Sequence, residues 1–245
     1  MINTHAVGDV TIVELDQGAV NALDLELVEA ITTTLGRIDG PIVLTGRGRA
    51  FSAGVDLRRI VEDGDDYIER FLHALSRAFN AVFTFPHPTV AAVNGHAIAG
   101  GCVIALACDL RLMSAGTIGL TELPVGVAFP RIALEIVRYA LGPLAAKTVL
   151  QGEAVGRQEA LRLGMVDEVV EASELLERST DTAVKLARTP ATLYARTKQD
   201  LHAPALSAVA SEPEGALQVW TAPETKARLE EFLASLSRGS RPTDH

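Results

Sequence analysis

Apolar and polar positions alternate over 10–15 (VTIVEL), the period of a half-buried strand. Asp24 then stands where a helix N-cap belongs. Leu27, Val28, Ile31 and Leu35 recur at helical spacing until Gly36 and Gly40 stop them. The run 41–45 (PIVLT) is short and continuously apolar, which predicts a buried strand, and it opens into 46–57, a connection rich in Gly, Ser and Ala. After a polar, acidic segment at 58–66, Ile68, Phe71, Leu72, Leu75, Phe79, Val82 and Phe83 fall on one stripe of a long helix closed by Pro86 and Pro88. A strand over 89–93 stops at Asn94-Gly95. A short turn leads to Gly100-Gly101, which opens an apolar helix ending near Asp109, and another strand at 110–113 precedes Glu122.

Beyond Pro130 the pattern is mainly helical: 132–141 ends at Gly142-Pro143, 144–150 at Gly152, and 158–163 at Gly164. A strand is predicted at 165–170. Ser173 is placed to cap a helix that runs to about 188, and Thr189-Pro190 starts the last region, Thr suiting the cap and Pro the first helical position. That region reads as helices broken at Pro204, Pro213 and Pro223, with a disordered tail over 237–245. Strands followed by helices, repeated, predict an α/β protein with mainly parallel pairing, its core over 1–189 and a helical region over 190–245.

Composition narrows the function classes. A chain of 245 residues with 48% hydrophobic content builds one sizeable α/β core. A formal charge of −9 argues against a nucleic-acid surface, and no apolar run is long enough to cross a bilayer. The first residues, MINTHAVGDV, lack a basic stretch followed by an apolar one, so a cytoplasmic location is expected. Cys102 and Cys108 fall on nearly opposite faces of their helix and read as core residues, not a disulfide. The histidines (5, 73, 87, 96, 202 and 245) are scattered, and no zinc spacing occurs, so no metal is expected.

Two features carry chemistry. Paired glycines at a helix start let a ligand approach backbone N–H groups that have no partner inside the helix, at the end where the dipole favours negative charge. Gly100-Gly101 is such a place for an oxyanion. Glu122 lies about twenty residues on, a carboxylate within the apolar and small-residue run IGLTELPVG, and is the candidate base.

The blocks GRGRAFSAGVDL, AAVNGHAIAGGCVIALACDLRLMS, IGLTELPVGVAFP and EALRLGMVDEVV, in this order and spacing, resemble those of the crotonase superfamily, the enoyl-CoA hydratases and isomerases. The match covers roughly 10–170. The resemblance implies a spiral of strand-strand-helix turns and a C-terminal helical region that packs subunits into trimers, often paired into hexamers. It also implies an acyl-CoA thioester substrate, with coenzyme A as part of the substrate and no separate cofactor. Carried over by position, the thioester oxygen falls between the backbone N–H groups of Val55 and Gly100, with coenzyme A running along Ala53, Asp56, Leu57 and Arg58.

Family hydratases carry two glutamates, one at the position of Glu122 and one on the helix after the glycine turn, where this chain has Val103. Hydration needs a carboxylate pair to hold a water and move its protons. Shifting a double bond from β,γ to α,β needs one base, and the sequence around Glu122 resembles the single-glutamate Δ3,Δ2-enoyl-CoA isomerases. Two other readings stand beside it: a hydratase or another crotonase reaction, such as a hydrolase, that takes a second carboxylate from the acidic run Glu62, Asp63, Asp65, Asp66 and Glu69 of the 58–69 loop, and an acyl-CoA binder without chemistry. Asp56 is expected to fix its loop by accepting backbone hydrogen bonds, Asp109 to end its helix, and His96 to be a hydrogen-bonded structural residue. Arg47, Arg49, Arg58 and Arg59 are candidate cations for the coenzyme A phosphates. By the resemblance a neighbour's C-terminal helix can add Lys226 or Arg228.

Overall fold

The computed structural model describes residues 1–211 and 215–239. One sheet has six strands: β1 (Ile2–Val7), β2 (Val10–Leu15), β3 (Ile42–Gly46), β5 (Thr89–Val93), β7 (Leu110–Met113) and β10 (Glu168–Val169), in that spatial order. The β1/β2 pair is antiparallel and every other pairing in this sheet is parallel. A second sheet has four short strands in the order β4 (Ala50–Ser52), β6 (His96–Ile98), β8 (Thr117–Gly119) and β9 (Ala154–Gly156).

Each of the three central turns of the chain supplies one strand to each sheet and then one or two helices. The helices are α1 (Leu25–Leu35), α2 (Leu57–Glu62), α3 (Asp65–Phe83), α4 (Gly100–Ala107), α5 (Glu122–Val125) and α6 (Arg131–Leu141). Thus β3 and β4 lead to α2 and α3, β5 and β6 to α4, and β7 and β8 to α5. This is the predicted spiral. Asn94 ties successive turns together at the corner between the sheets: its Oδ1 accepts from Gly46 N (3.1 Å) and its Nδ2 donates to Gly48 O (2.9 Å).

Long periodic elements follow their hydrophobic pattern. Asp24 caps α1, accepting from Leu27 N at 2.8 Å, and the predicted stripe of α3 is buried against α1, α4 and α6. The helices α7 (Ala145–Gln151) and α8 (Arg157–Arg162) also fall where the glycine stops imply. The helix α4 is apolar all round and fully buried, Cys102 and Cys108 are free and buried, and Val103 has no exposed surface.

Several expectations are corrected. The acidic segment 58–66 is not irregular: Asp56 accepts from Arg58 N and Arg59 N and so caps α2, and α3 begins at Asp65. Ser173 caps nothing, because a turn closed by Glu174 N to Glu171 O intervenes before α9 (Leu175–Leu186). The strand at 165–170 shrinks to two residues, since Met165 N and Val166 N both turn back to Ala160 O to close α8. Pro204 breaks no helix. It sits inside α10 (Ala191–Ser211), where the carbonyl that lacks a helical donor belongs to exposed Asp200.

The helix α4 ends at Ala107, and Asp109 serves as a junction, accepting from Thr89 N and Oγ1, Tyr194 Oη (2.9 Å) and Lys198 Nζ (2.8 Å). The last two contacts and the packing of α10 on α6 fix the C-terminal region to the core. Two more helices follow, α11 (Ala216–Trp220) and α12 (Pro223–Gly239), and α12 packs on α2 and α5 of its own chain. The expected boundary at 189/190 falls between α9 and α10, and the expected break at Pro213 lies outside the described residues. Of the tail expected to be disordered, 237–239 continue α12 and 240–245 lie outside the described residues. No helix among the described residues is long and apolar enough to cross a membrane.

Candidate active site

The loop after β4 and the start of α4 are held against each other by close backbone approach. Gly54 has φ +83°, and a Cβ there would fall 2.7 Å from Ile98 O and 3.5 Å from Gly100 N. A Cβ on Gly100 would in turn lie 3.9 Å from Val55 Cγ2, so the two backbone segments are neighbours. Ala99, the N-cap of α4, takes φ 50° and ψ −119°, a conformation that costs a non-glycine residue about 1–3 kcal/mol. It is held there by Ala99 N to Gly119 O (2.8 Å) and by Val103 N to Ala99 O (3.0 Å). The N–H groups of Val55 and Gly100 have no acceptor among the described residues.

Both residues line a cavity of about 110 Å³, together with Ala53, Leu57 and Glu122. Apart from Thr121, the rest of the lining is mainly hydrocarbon, from α3, the turn before α4, α5 and the segment after it, α6, and the C-terminal helices through Trp220 and Phe232. Among the described residues, Glu122 is the one ionisable side chain on this lining. It is 7% exposed, its Oε2 has no hydrogen-bond partner, and it makes no ion pair among the described residues. Burial pushes its carboxyl up to about 8, opposed only by its own backbone N–H. A carboxylate placed so, neither capping nor paired, is free to exchange a proton with a molecule in the cavity.

The predicted residues therefore divide. Ala53, Val55, Leu57, Gly100 and Glu122 come together on one cavity, whereas Asp56 and Arg58 lie beside it. Asp56 is occupied in capping α2, as expected, and the Arg58 side chain is exposed. Arg59 is committed to Glu26 (3.2 Å), Asp63 and the Tyr67 ring, and Arg47 to Asp16 (2.7 Å). Lys226 pairs with Asp65 of its own chain at 2.5 Å and is used locally, whereas the Arg228 side chain lies over Gly126. His96 is exposed and bonded to Thr117 Oγ1 (3.0 Å), a structural arrangement. None of Glu62, Asp63, Asp65, Asp66 and Glu69 lines the cavity.

Sequence reasoning missed the far wall, Trp220 and Phe232. The available signal was a lone tryptophan in an otherwise aromatic-poor tail.

The close contact below the site gives a test of its construction. A Cβ on Gly101 would lie 2.4 Å from Ser52 O and 2.8 Å from Ser52 Cβ, and Ser52 is itself fixed by its hydroxyl, which donates to Asn21 O and accepts from Gly54 N. Gly101→Ala is expected to push α4 off β4 and to cost about 2–3 kcal/mol in urea unfolding. An unchanged midpoint would mean that the two segments are not in contact.

Comparison with known proteins gives the same picture. A protein of Thermus thermophilus named "Putative enoyl-CoA hydratase" is 42% identical over 165 residues, which is 64% of each chain. The chain thus spans somewhat under two thirds of that relative. The short-chain-enoyl-CoA hydratase of Clostridium acetobutylicum is 29% identical over 188 residues, 73% of this chain and 72% of the relative. Human mitochondrial delta3-delta2-enoyl-CoA isomerase shares the fold with a TM-score of 0.91 at 21% identity, covering 98% of this chain and 99% of that one. The enoyl-CoA hydratase/isomerase family model matches residues 5–237, the whole spiral and the helices that close its cavity, and the chain belongs to that family.

Proposed function

We propose that this chain isomerises Δ3-enoyl-CoA to Δ2-enoyl-CoA with Glu122 as its one base. The observation that carries this reading is the single ionisable group on the cavity lining, Glu122, with buried Val103 at the position of a hydratase's second glutamate. In the proposed reaction the thioester oxygen accepts from Val55 N and Gly100 N. Glu122 takes a proton from the α-carbon, the electron pair moves onto the thioester oxygen, and the dienolate is held by the two donors. The protonated carboxyl then delivers that proton to the γ-carbon, and the double bond is left conjugated. A donor aimed at such an oxygen is worth about 3–4 kcal/mol in the barrier. Assembly as a trimer or a pair of trimers, and a cytoplasmic location, belong to the same reading.

Hydration is the second reading, favoured by the hydratase names of the Thermus and Clostridium relatives. Purified protein assayed with a 3-enoyl-CoA and a 2-enoyl-CoA separates the two, since conjugation and water addition are followed independently. Fast conjugation with slow hydration is the expected result; fast hydration would give the chemistry to a second group. The isomerisation should also carry a pH signature. The base works only when deprotonated, so kcat/KM rises about tenfold per pH unit below the Glu122 value of about 8 and levels off above it. A profile already flat from pH 5 would exclude a base with a raised carboxyl.

A further inference from the structure

We infer that Trp220 is the chain-length gauge of this cavity, its indole closing the acyl pocket so that short acyl chains are selected. The inference rests on the cavity being an acyl-CoA site. Trp220 is the one tryptophan of the chain, is 2% exposed, and lines the same cavity as Glu122. Its Nε1–H donates to Ala128 O at 2.7 Å. Ala128 itself lines the cavity and lies on the segment that leaves α5, the helix that begins with Glu122. The indole is thus clamped to the loop that carries the base. It cannot swing aside without leaving a buried donor unsatisfied.

The direction of an acyl chain follows from what each part of the lining offers. Val55 and Gly100 lie on neighbouring backbone segments and both offer unpartnered N–H groups to the cavity, so on the acyl-CoA reading a thioester oxygen is held on that side. The hydrocarbon must then run toward the purely apolar remainder, Val127, Ala133, Trp220 and Phe232. The space is small, about 110 Å³. Short acyl chains fill so small a pocket, and longer ones meet the indole.

The test is calorimetric binding of butanoyl-, hexanoyl-, octanoyl- and dodecanoyl-CoA to the full chain, wild type, Trp220→Phe and Trp220→Ala. These saturated esters need no turnover, so the result is independent of whether the chain is an isomerase. Wild type is expected to bind the four- and six-carbon esters best and the twelve-carbon ester at least about tenfold more weakly. Trp220→Ala should move the optimum to eight carbons or beyond, with Trp220→Phe in between. Thermal melting checks that the variants fold, and if Trp220→Ala does not, the shift in Trp220→Phe decides. Wild-type affinity that holds or grows through twelve carbons, or a folded variant with an unchanged series, would overturn the assignment. Failure to bind any of the four esters would instead sink the acyl-CoA reading of the cavity, and the gauge with it.

Discussion

Glu122→Gln is expected to lower kcat/KM for isomerisation by about 10⁴-fold, the upper range for loss of a general base, equivalent to about 5 kcal/mol in the barrier. The upper range is expected because the same carboxylate removes the α-proton and returns it at the γ-carbon, and no other ionisable group among the described residues lines the cavity to take over either step. Glutamine keeps the shape and the polarity of the side chain, so binding of a saturated acyl-CoA should change little. The measurement is a steady-state assay of both forms with a 3-enoyl-CoA, paired with calorimetric affinity for the saturated ester. A loss below tenfold with intact binding would remove Glu122 from the chemistry. Loss of binding together with activity would make it a structural residue of the pocket instead.

Much of the fold was legible because its long elements bury one face over many residues. The alternation at 10–15, the apolar runs at 42–45 and 89–93, and the seven-residue stripe of α3 each repeat their signal often enough to set period and boundaries. The strands β4, β6 and β8 are three residues long, too short to show a period; β4 lies within the small-residue connection and β6 within the turn before Gly100, while 117–119 carries no element in the sequence pattern. They form the second sheet, so the layer that sets Gly54 beside Gly100 was hidden although both glycines stood out.

The site divides in the same way. Val55, Gly100 and Glu122 fall within continuous sequence blocks and could be named. The far wall depends on a contact between distant parts of the chain, Trp220 Nε1 to Ala128 O, separated by 92 positions, and the docking of α10 on another, Tyr194 Oη to Asp109, separated by 85. No local pattern encodes such pairings, and the docking of α12 on its own α2 and α5 was likewise invisible. Pro204 shows the converse error, a strong local breaker overridden because its unpaired carbonyl stays in water.

The same Gln substitution that removes activity should make the protein more stable at alkaline pH. The Glu122 carboxyl titrates near 4.5 when unfolded and at about 8 when folded, because burial disfavours its charged form. Between those values the folded state keeps a proton that the unfolded state has released, so the group's contribution to stability falls as pH rises through this window and stays at its lowest above 8. The difference in the two values sets a ceiling of about 5 kcal/mol for that loss. Gln has no charge to bury. Thermal melting of both forms from pH 5 to pH 9 should therefore show similar midpoints at pH 5 and a lead for Glu122→Gln that widens by several degrees, at roughly 2–4 °C per kcal/mol for a chain of this size. A carboxylate held by structural partners would give the opposite sign, with Glu122→Gln the less stable form at high pH. The first prediction asks whether Glu122 works on substrate. This one asks whether the fold gives up stability to keep an unpaired base in an apolar cavity, and the two together separate a working base from a buried strut.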